Sequence, residues 1–112
     1  MVFQVGAALL DACILAALSK GDAYGYVLTQ STKEILSVSE STLYPVLRRL
    51  QKEACLMTYD MEYGGRNRRY YQITDFGKER LGDYVRQWMQ YKEKVDKILM
   101  GGCENEQERV YQ

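Results

Sequence analysis

The sequence predicts a mainly α-helical chain carrying one small β-hairpin and a long C-terminal helix. Three features carry that expectation. Apolar residues recur at helical spacing in the first twenty residues, again through Leu43, Val46, Leu47 and Leu50, and again from Leu81 to Leu99. Between the last two stretches, Leu56 to Tyr63 and Arg68 to Ile73 are rich in Tyr, Thr, Met and Ile and meet at Gly64-Gly65, which describes two strands and their turn. The one proline, Pro45, falls inside an otherwise helical segment.

A chain of 112 residues forms one domain with a modest core. A hydrophobic content of 46% with ten tyrosines is that of a globular protein, and no Pro/Gly/Ser-rich linker or repeat divides it. Order is expected from near Gly6 to about Leu99.

Helix one, Ala7 to Ser19, is apolar on almost every side (Leu9, Leu10, Cys13, Ile14, Ala16, Ala17, Leu18), so more than one neighbour must cover it and a second subunit could supply part of that cover. Lys20-Gly21-Asp22 breaks it. Helix two runs from Ala23 to about Ile35, with Tyr26, Val27, Gln30 and Ile35 spaced for one face. Helix three begins near Ser39, capped either by Ser37, which forms an S-x-x-E box with Glu40, or by Ser39 itself. After the hairpin, Thr74-Asp75 caps a fourth helix that reaches about Leu99 and ends at Gly101-Gly102, before a polar tail expected to lack order. Three helices followed by a hairpin is the order of a winged helix-turn-helix; the fourth helix is an addition.

A proline in a helix interior removes a donor and presses on the carbonyl four residues back, at a cost of roughly 3 kcal/mol. On a helical wheel, Leu43, Val46, Leu47 and Leu50 cluster within about 60° of one direction, and Ser41, Pro45, Arg48 and Lys52 fall opposite. The carbonyl that Pro45 leaves unpaired belongs to Ser41 and so faces outward, where water or a ligand can meet it. Such a face suits a helix entering a DNA major groove. Ser39, Ser41, Thr42 and Tyr44 supply small polar and phenolic groups, Pro45 an apolar contact for a thymine methyl, Arg48 a donor for guanine or phosphate, and Arg49 and Lys52 phosphate contacts. Pro45 is expected to reshape the first turns so that Ser41 to Tyr44 approach the duplex. The plainer alternative is a solvated surface helix.

The hairpin shifts that balance. Arg66, Asn67, Arg68 and Arg69 crowd its tip and the start of its second strand, beside glycines that permit positive φ and close backbone approach. Arginines so placed can reach phosphates or a narrow minor groove, although a charged hairpin also protects a sheet edge from aggregation. Net charge is zero, yet Glu40 to Arg80 holds eight basic and six acidic residues, and Gly64 to Gln72 holds three arginines and no acid. Local basic charge is the footprint that DNA contact requires.

Other classes are poorly served. With no histidine there is no imidazole base or histidine-ligated metal, and Cys13, Cys55 and Cys103 lack paired spacing, so no catalytic residue, metal or cofactor is expected. The apolar run Gly6 to Leu18 is too short to span a bilayer, has no basic leader and contains Asp11, which points to a reduced cytoplasmic protein without membrane partners.

The stretch "STLYPVLRRLQKEACLMTYDMEYGGRNRRYYQITDFGKERL" resembles the PadR family of bacterial transcriptional regulators, whose pattern runs T-L-Y-P-x-L-x-R-L, a Gly-rich arginine wing, then Y-Y-x-[IL]-T-x-x-G. Thr42 to Leu50, Gly64 to Arg69 and Tyr70 to Gly77 match those parts, and "LSKGDAYGYVL" (Leu18 to Leu28) is similar to the family's N-terminal segment. The resemblance implies a dimeric, cytoplasmic winged-helix repressor of the small subfamily with one C-terminal helix. Its DNA-binding set would come from Ser41, Thr42, Tyr44, Arg48 and Arg66 to Arg69. The implied division is a DNA-binding domain over 1–74, a dimerisation helix over 75–100 and a tail over 101–112. Ala54 stands where members commonly carry glycine; a left-handed alanine costs about 1 kcal/mol or more, so helix three is expected to end in another geometry.

In the fourth helix, Leu81, Val85, Trp88, Lys92, Val95 and Leu99 follow a 4-3-4-3-4 heptad seam, widened by Tyr84, Tyr91 and Ile98. A lone helix after a hairpin has little of its own chain to pack on, so the seam predicts homodimerisation, with Lys92 fixing register. A two-fold dimer would set recognition helices roughly 34 Å apart and read an inverted repeat. Tyr84, Trp88 and Tyr91 form the cluster able to hold an aromatic or apolar effector of the kind the resemblance implies, the alternative being interface core. A redox switch at cysteine, where Cys103 alone looks accessible enough to react and oxidation of Cys55 would disturb the reading head although buried cysteine is usually inert packing, and a protein-binding winged helix are the remaining alternatives.

Overall fold

The computed structural model describes residues 6–101. It contains α1 (Ala7–Ser19), β1 (Ala23–Tyr24), α2 (Gly25–Leu36), α3 (Glu40–Lys52), β2 (Leu56–Tyr63), β3 (Arg66–Ile73) and α4 (Asp75–Asp96), followed by a π-helical turn over Lys97–Gly101. The tail and Cys103 lie outside the described residues.

The core forms where α1 is laid against α3 and the sheet. Leu10, Ile14, Leu15 and Leu18 of α1 meet Leu43, Val46, Leu47 and Leu50 of α3, with Leu28, Cys55, Leu56 and Ile73 closing the cluster. The stripe read on the α3 wheel is thus the buried one.

The face expected for α2 is not. Tyr26, Val27 and Ile35 are 58, 56 and 79% exposed, and Gln30 is half-buried. Gly25, Leu28, Thr29 and Thr32 face inward instead. Threonine can line a core here because its hydroxyl is satisfied within its own helix: Thr29 Oγ1 donates to the Tyr26 carbonyl at 3.0 Å and Thr32 Oγ1 to that of Leu28 at 2.8 Å.

Ala23 and Tyr24, expected as the start of helix two, form a two-residue strand, pairing antiparallel with Tyr71 and Tyr70. The sheet therefore has three strands in the order β1-β3-β2. A strand this short has no period of its own and is defined by a partner almost fifty residues away in sequence.

Ser39 is the N-cap of α3, while Ser37 ends α2 in the left-handed region at φ 58°. The other end of α3 corrects the expectation for Ala54, which does adopt the left-handed conformation, at φ 66°. The Cys55 N–H reaches the Leu50 carbonyl at 2.9 Å and the Ala54 N–H reaches that of Gln51 at 3.0 Å, the paired bonds of a Schellman motif. Both Leu50 and Cys55 are buried, so the strained alanine is held by satisfied carbonyls and an apolar contact.

α4 starts on this turn. Thr74 Oγ1 accepts from Gly77 N–H at 2.9 Å and donates to the Ala54 carbonyl at 2.6 Å, and Thr74 N–H donates to the Cys55 carbonyl at 3.0 Å. A Cβ at Gly77 would lie 2.3 Å from that carbonyl oxygen, so only glycine allows the approach. Leu81 and Tyr84 then pack on the core of their own chain, which takes Leu81 out of the purely intermolecular seam expected for it. Past Tyr91, the last α4 residue to face α1, the helix projects from the core; the molecule measures 66 × 30 × 20 Å, and Val85 and Trp88 are 45 and 43% exposed.

Candidate nucleic-acid interface

Ser39, Ser41, Thr42, Tyr44, Pro45, Arg48 and Lys52 all lie on the exposed side of α3. Ser39 makes no side-chain cap; its hydroxyl sits 2.9 Å from Ser41 Oγ and 3.0 Å from Thr42 Oγ1. Three hydroxyls thus gather at a helix N-terminus, where free N–H groups and the helix dipole favour an anion.

Arg49 departs from its expected place on a phosphate. Its Nη1 and Nη2 donate to Asp11 of α1 at 3.0 and 2.5 Å, and the Tyr84 phenol of α4 donates to the same carboxylate at 3.0 Å. The bond to Asp11 raises the Arg49 pKa, and burial, followed by that same carboxylate, pushes up the Tyr84 phenol. Asp11 is 2% exposed. Its charge in the interior needs a cation there, and Arg49 is on the side of α3 that turns toward α1. Asp11 and Tyr84 were missed as partners; the available signal was a single carboxylate in an otherwise apolar helix.

At the hairpin tip, Gly64 and Gly65 have φ of 61 and 80°, both positive as a type I′ turn demands, and Tyr63 pairs with Arg66. Strand alternation then splits the four wing residues. Asn67 and Arg69 share the face of Tyr71 and Ile73, which looks toward the core, and Arg66 and Arg68 share the opposite face with Tyr70. Arg69 Nε lies 3.5 Å from Asp60, an exposed pair of little strength. Arg68 is flanked by aromatic rings, with its Cζ 4.5 Å from the ring centre of Tyr63 and 4.8 Å from that of Tyr24.

Tyr71 of β3 is half-buried against α2. Burial pushes up its phenol pKa, Arg69 of the wing and Arg48 of α3 pull it down, and Tyr44 adds an upward push, so all three lie within electrostatic reach of one ring. Gly25 makes room for it, since a Cβ there would stand 3.0 Å from Tyr71 Cε1. Among the described residues Arg48, Lys52, Arg66 and Arg68 have no carboxylate partner.

A second feature lies between α1 and α4. Ala8, Leu9 and Ala12 face Tyr84, Gln87, Trp88 and Tyr91 across an apolar groove of about 380 Å³. The three aromatic residues expected to share a pocket are therefore neighbours, completed by α1. Lys92 is exposed and pairs with Asp96 of its own helix at 3.1 Å. Among the described residues no metal-ligating cluster forms, and no helix is long and apolar enough to cross a membrane.

Comparison with known proteins matches the fold and the family. The description "Transcriptional regulator PadR-like family" matches residues 14–83. An uncharacterized protein of Lysinibacillus sphaericus is 37% identical over 98 residues, covering 82% of this chain and 89% of that one. A crystal structure from Streptococcus mutans UA159 superposes with a TM-score of 0.83 at 44% identity, over 90% of this chain and 95% of the other. The crystal structure of a PadR-like transcriptional regulator from Bacillus cereus strain ATCC 14579 gives a TM-score of 0.73 at 34% identity, over 81 and 91% of the two chains.

Proposed function

Because the chain belongs to the PadR-like family, a family of transcriptional regulators and not of enzymes, we propose that it represses transcription by binding an inverted-repeat operator as a homodimer in the bacterial cytoplasm. The carrying observation is that, among the described residues, Arg48 and Lys52 on the exposed side of α3 and Arg66 and Arg68 on the wing have no carboxylate partner. Unpaired cations on a helix and a hairpin fit the phosphates on either side of a groove, while Ser41, Thr42, Tyr44 and Pro45 supply groups for base edges.

Residues 1–74 act as the DNA-binding unit in this reading, and 75–100 as the dimerisation helix. The half-exposed Val85 and Trp88 on the seam support the second role, because apolar side chains left partly open to water bury favourably against a second copy. The groove lined by Trp88 and Tyr91 would admit an aromatic or apolar effector that releases the operator.

Fluorescence anisotropy on the DNA upstream of its own gene, at two salt concentrations, tests the reading. Tight binding that falls steeply with salt and weakens in an Arg48→Ala/Arg66→Ala protein supports it. Binding no better than to random duplex, with no slope in salt, would favour a protein-binding winged helix.

A further inference from the structure

Arg68 sits in the middle strand of the sheet and is flanked from both neighbours: Tyr24 belongs to β1 and Tyr63 to β2. Tyr24 lies 5.9 Å from Tyr70, which stacks on Tyr59 at 5.6 Å and 9°, and the Tyr59 phenol donates to Asp22 at 2.6 Å. The Tyr24 ring beside Arg68 is therefore backed by a row of others. Contact with ring faces attracts the cation without using its donors, because all five guanidinium N–H groups lie in the guanidinium plane. A side chain already ordered also avoids the entropy loss of being fixed on binding.

We propose that Tyr24 and Tyr63 are positioning residues that hold Arg68 ready for a phosphodiester oxygen of duplex DNA. Arg68 points to the opposite face of the wing from Asn67 and Arg69. The minor groove is about 6 Å wide and bounded by a phosphate backbone on each side, so a hairpin tip lying along it meets one backbone with each face. Asn67 and Arg69 serve the wall nearer α3, and Arg68 the farther one. This inference rests on the DNA-binding reading above. Its rival is a staple that merely ties β1 to the hairpin.

The test is anisotropy at several salt concentrations on both a random duplex and the upstream fragment, with melting temperatures for every variant. A phosphate contact needs no specific sequence, so the random duplex alone suffices. Arg68→Ala is expected to weaken binding and to lower the salt slope by about 1. Tyr24→Leu/Tyr63→Leu keeps the charge, so the slope should stay while affinity falls roughly fivefold. Tyr24→Phe/Tyr63→Phe, which keeps both rings, should bind as the wild type does. Tyr63→Leu alone, at an exposed tip, serves if the double variant does not fold. Leucine variants that melt lower yet bind unchanged would leave only the staple. A wild-type protein that binds no duplex would overturn the DNA reading and this inference with it.

Discussion

Arg49 of α3 holds the buried carboxylate of Asp11 in α1 through two bonds of 3.0 and 2.5 Å, and Tyr84 of α4 holds the same group. Three helices with different proposed tasks are thereby joined at one charge. Removing Arg49 leaves Asp11 in the interior without its cation, a loss of about 2–4 kcal/mol after allowance for the partial exposure of Arg49. Arg49→Ala should therefore lower the urea midpoint sharply, with the salt slope of DNA binding unchanged, whereas Arg48→Ala should leave stability intact and lower that slope by about 1. Paired denaturation and salt titrations check both; a reduced slope in Arg49→Ala would put Arg49 on the DNA after all.

Ala54 occupies a left-handed position at φ 66° that glycine takes without steric penalty. Ala54→Gly should raise stability by about 1 kcal/mol, less whatever the greater freedom of the unfolded chain takes back. A destabilised Ala54→Gly protein would mean that the alanine methyl makes a packing contact worth more than the strain.

Gly77 admits no side chain, because its Cβ would stand 2.3 Å from the Cys55 carbonyl oxygen. That neighbour is backbone and itself accepts from Thr74, so it cannot move aside freely. Gly77→Ala is expected to cost about 3 kcal/mol, as severe overpacking does, and to lower the melting temperature accordingly.

Burial raises the thiol pKa of Cys13 and Cys55 and, at higher pH, the phenols of Tyr71 and Tyr84. Each folded-state pKa lies above its unfolded one, so the folded state holds these protons more tightly. Their contribution is complete below the unfolded values and is lost as pH rises through the folded ones. Stability should accordingly decline above about pH 8.5 and more steeply above about pH 10. Urea midpoints measured across that range check the course, and Tyr84→Phe should flatten the upper limb. A fully buried thiol with a raised pKa is also a poor nucleophile, so peroxide at neutral pH should leave Cys55 unmodified by mass spectrometry, against a redox switch there.

Trp88 is the chain's one tryptophan and lines the α1–α4 groove. Its emission should quench when an aromatic compound occupies the groove, and Trp88→Ala should abolish that binding. Val85→Asp, on the exposed seam, should yield monomers in sedimentation equilibrium; a dimer that persists would move the interface elsewhere.

Local sequence signals identified the buried stripe of α3, the hairpin, the Thr74 cap and the long fourth helix, because each is encoded by the spacing or type of residues close together in the chain. The same reasoning chose the wrong face of α2, since a threonine whose hydroxyl bonds to its own helix behaves as an apolar residue and no hydropathy pattern records that. It also missed β1, whose two residues are a strand only because Tyr70 and Tyr71 lie beside them.

The candidate DNA surface was legible to the same degree. Motif and charge named Ser39, Ser41, Thr42, Tyr44, Pro45, Arg48, Lys52 and the wing residues, all displayed on α3 or the hairpin. What each arginine touches was decided by tertiary structure: Arg49 meets Asp11 across thirty-eight positions of sequence, Arg69 pairs with Asp60 across the hairpin, and Arg68 lies between rings from two other strands. Local sequence determines what an element is and which side of it is apolar. Which side chains meet is fixed only when distant elements pack, because a hydrogen bond or a ring contact depends on separations of a few ångströms that no spacing along the chain specifies.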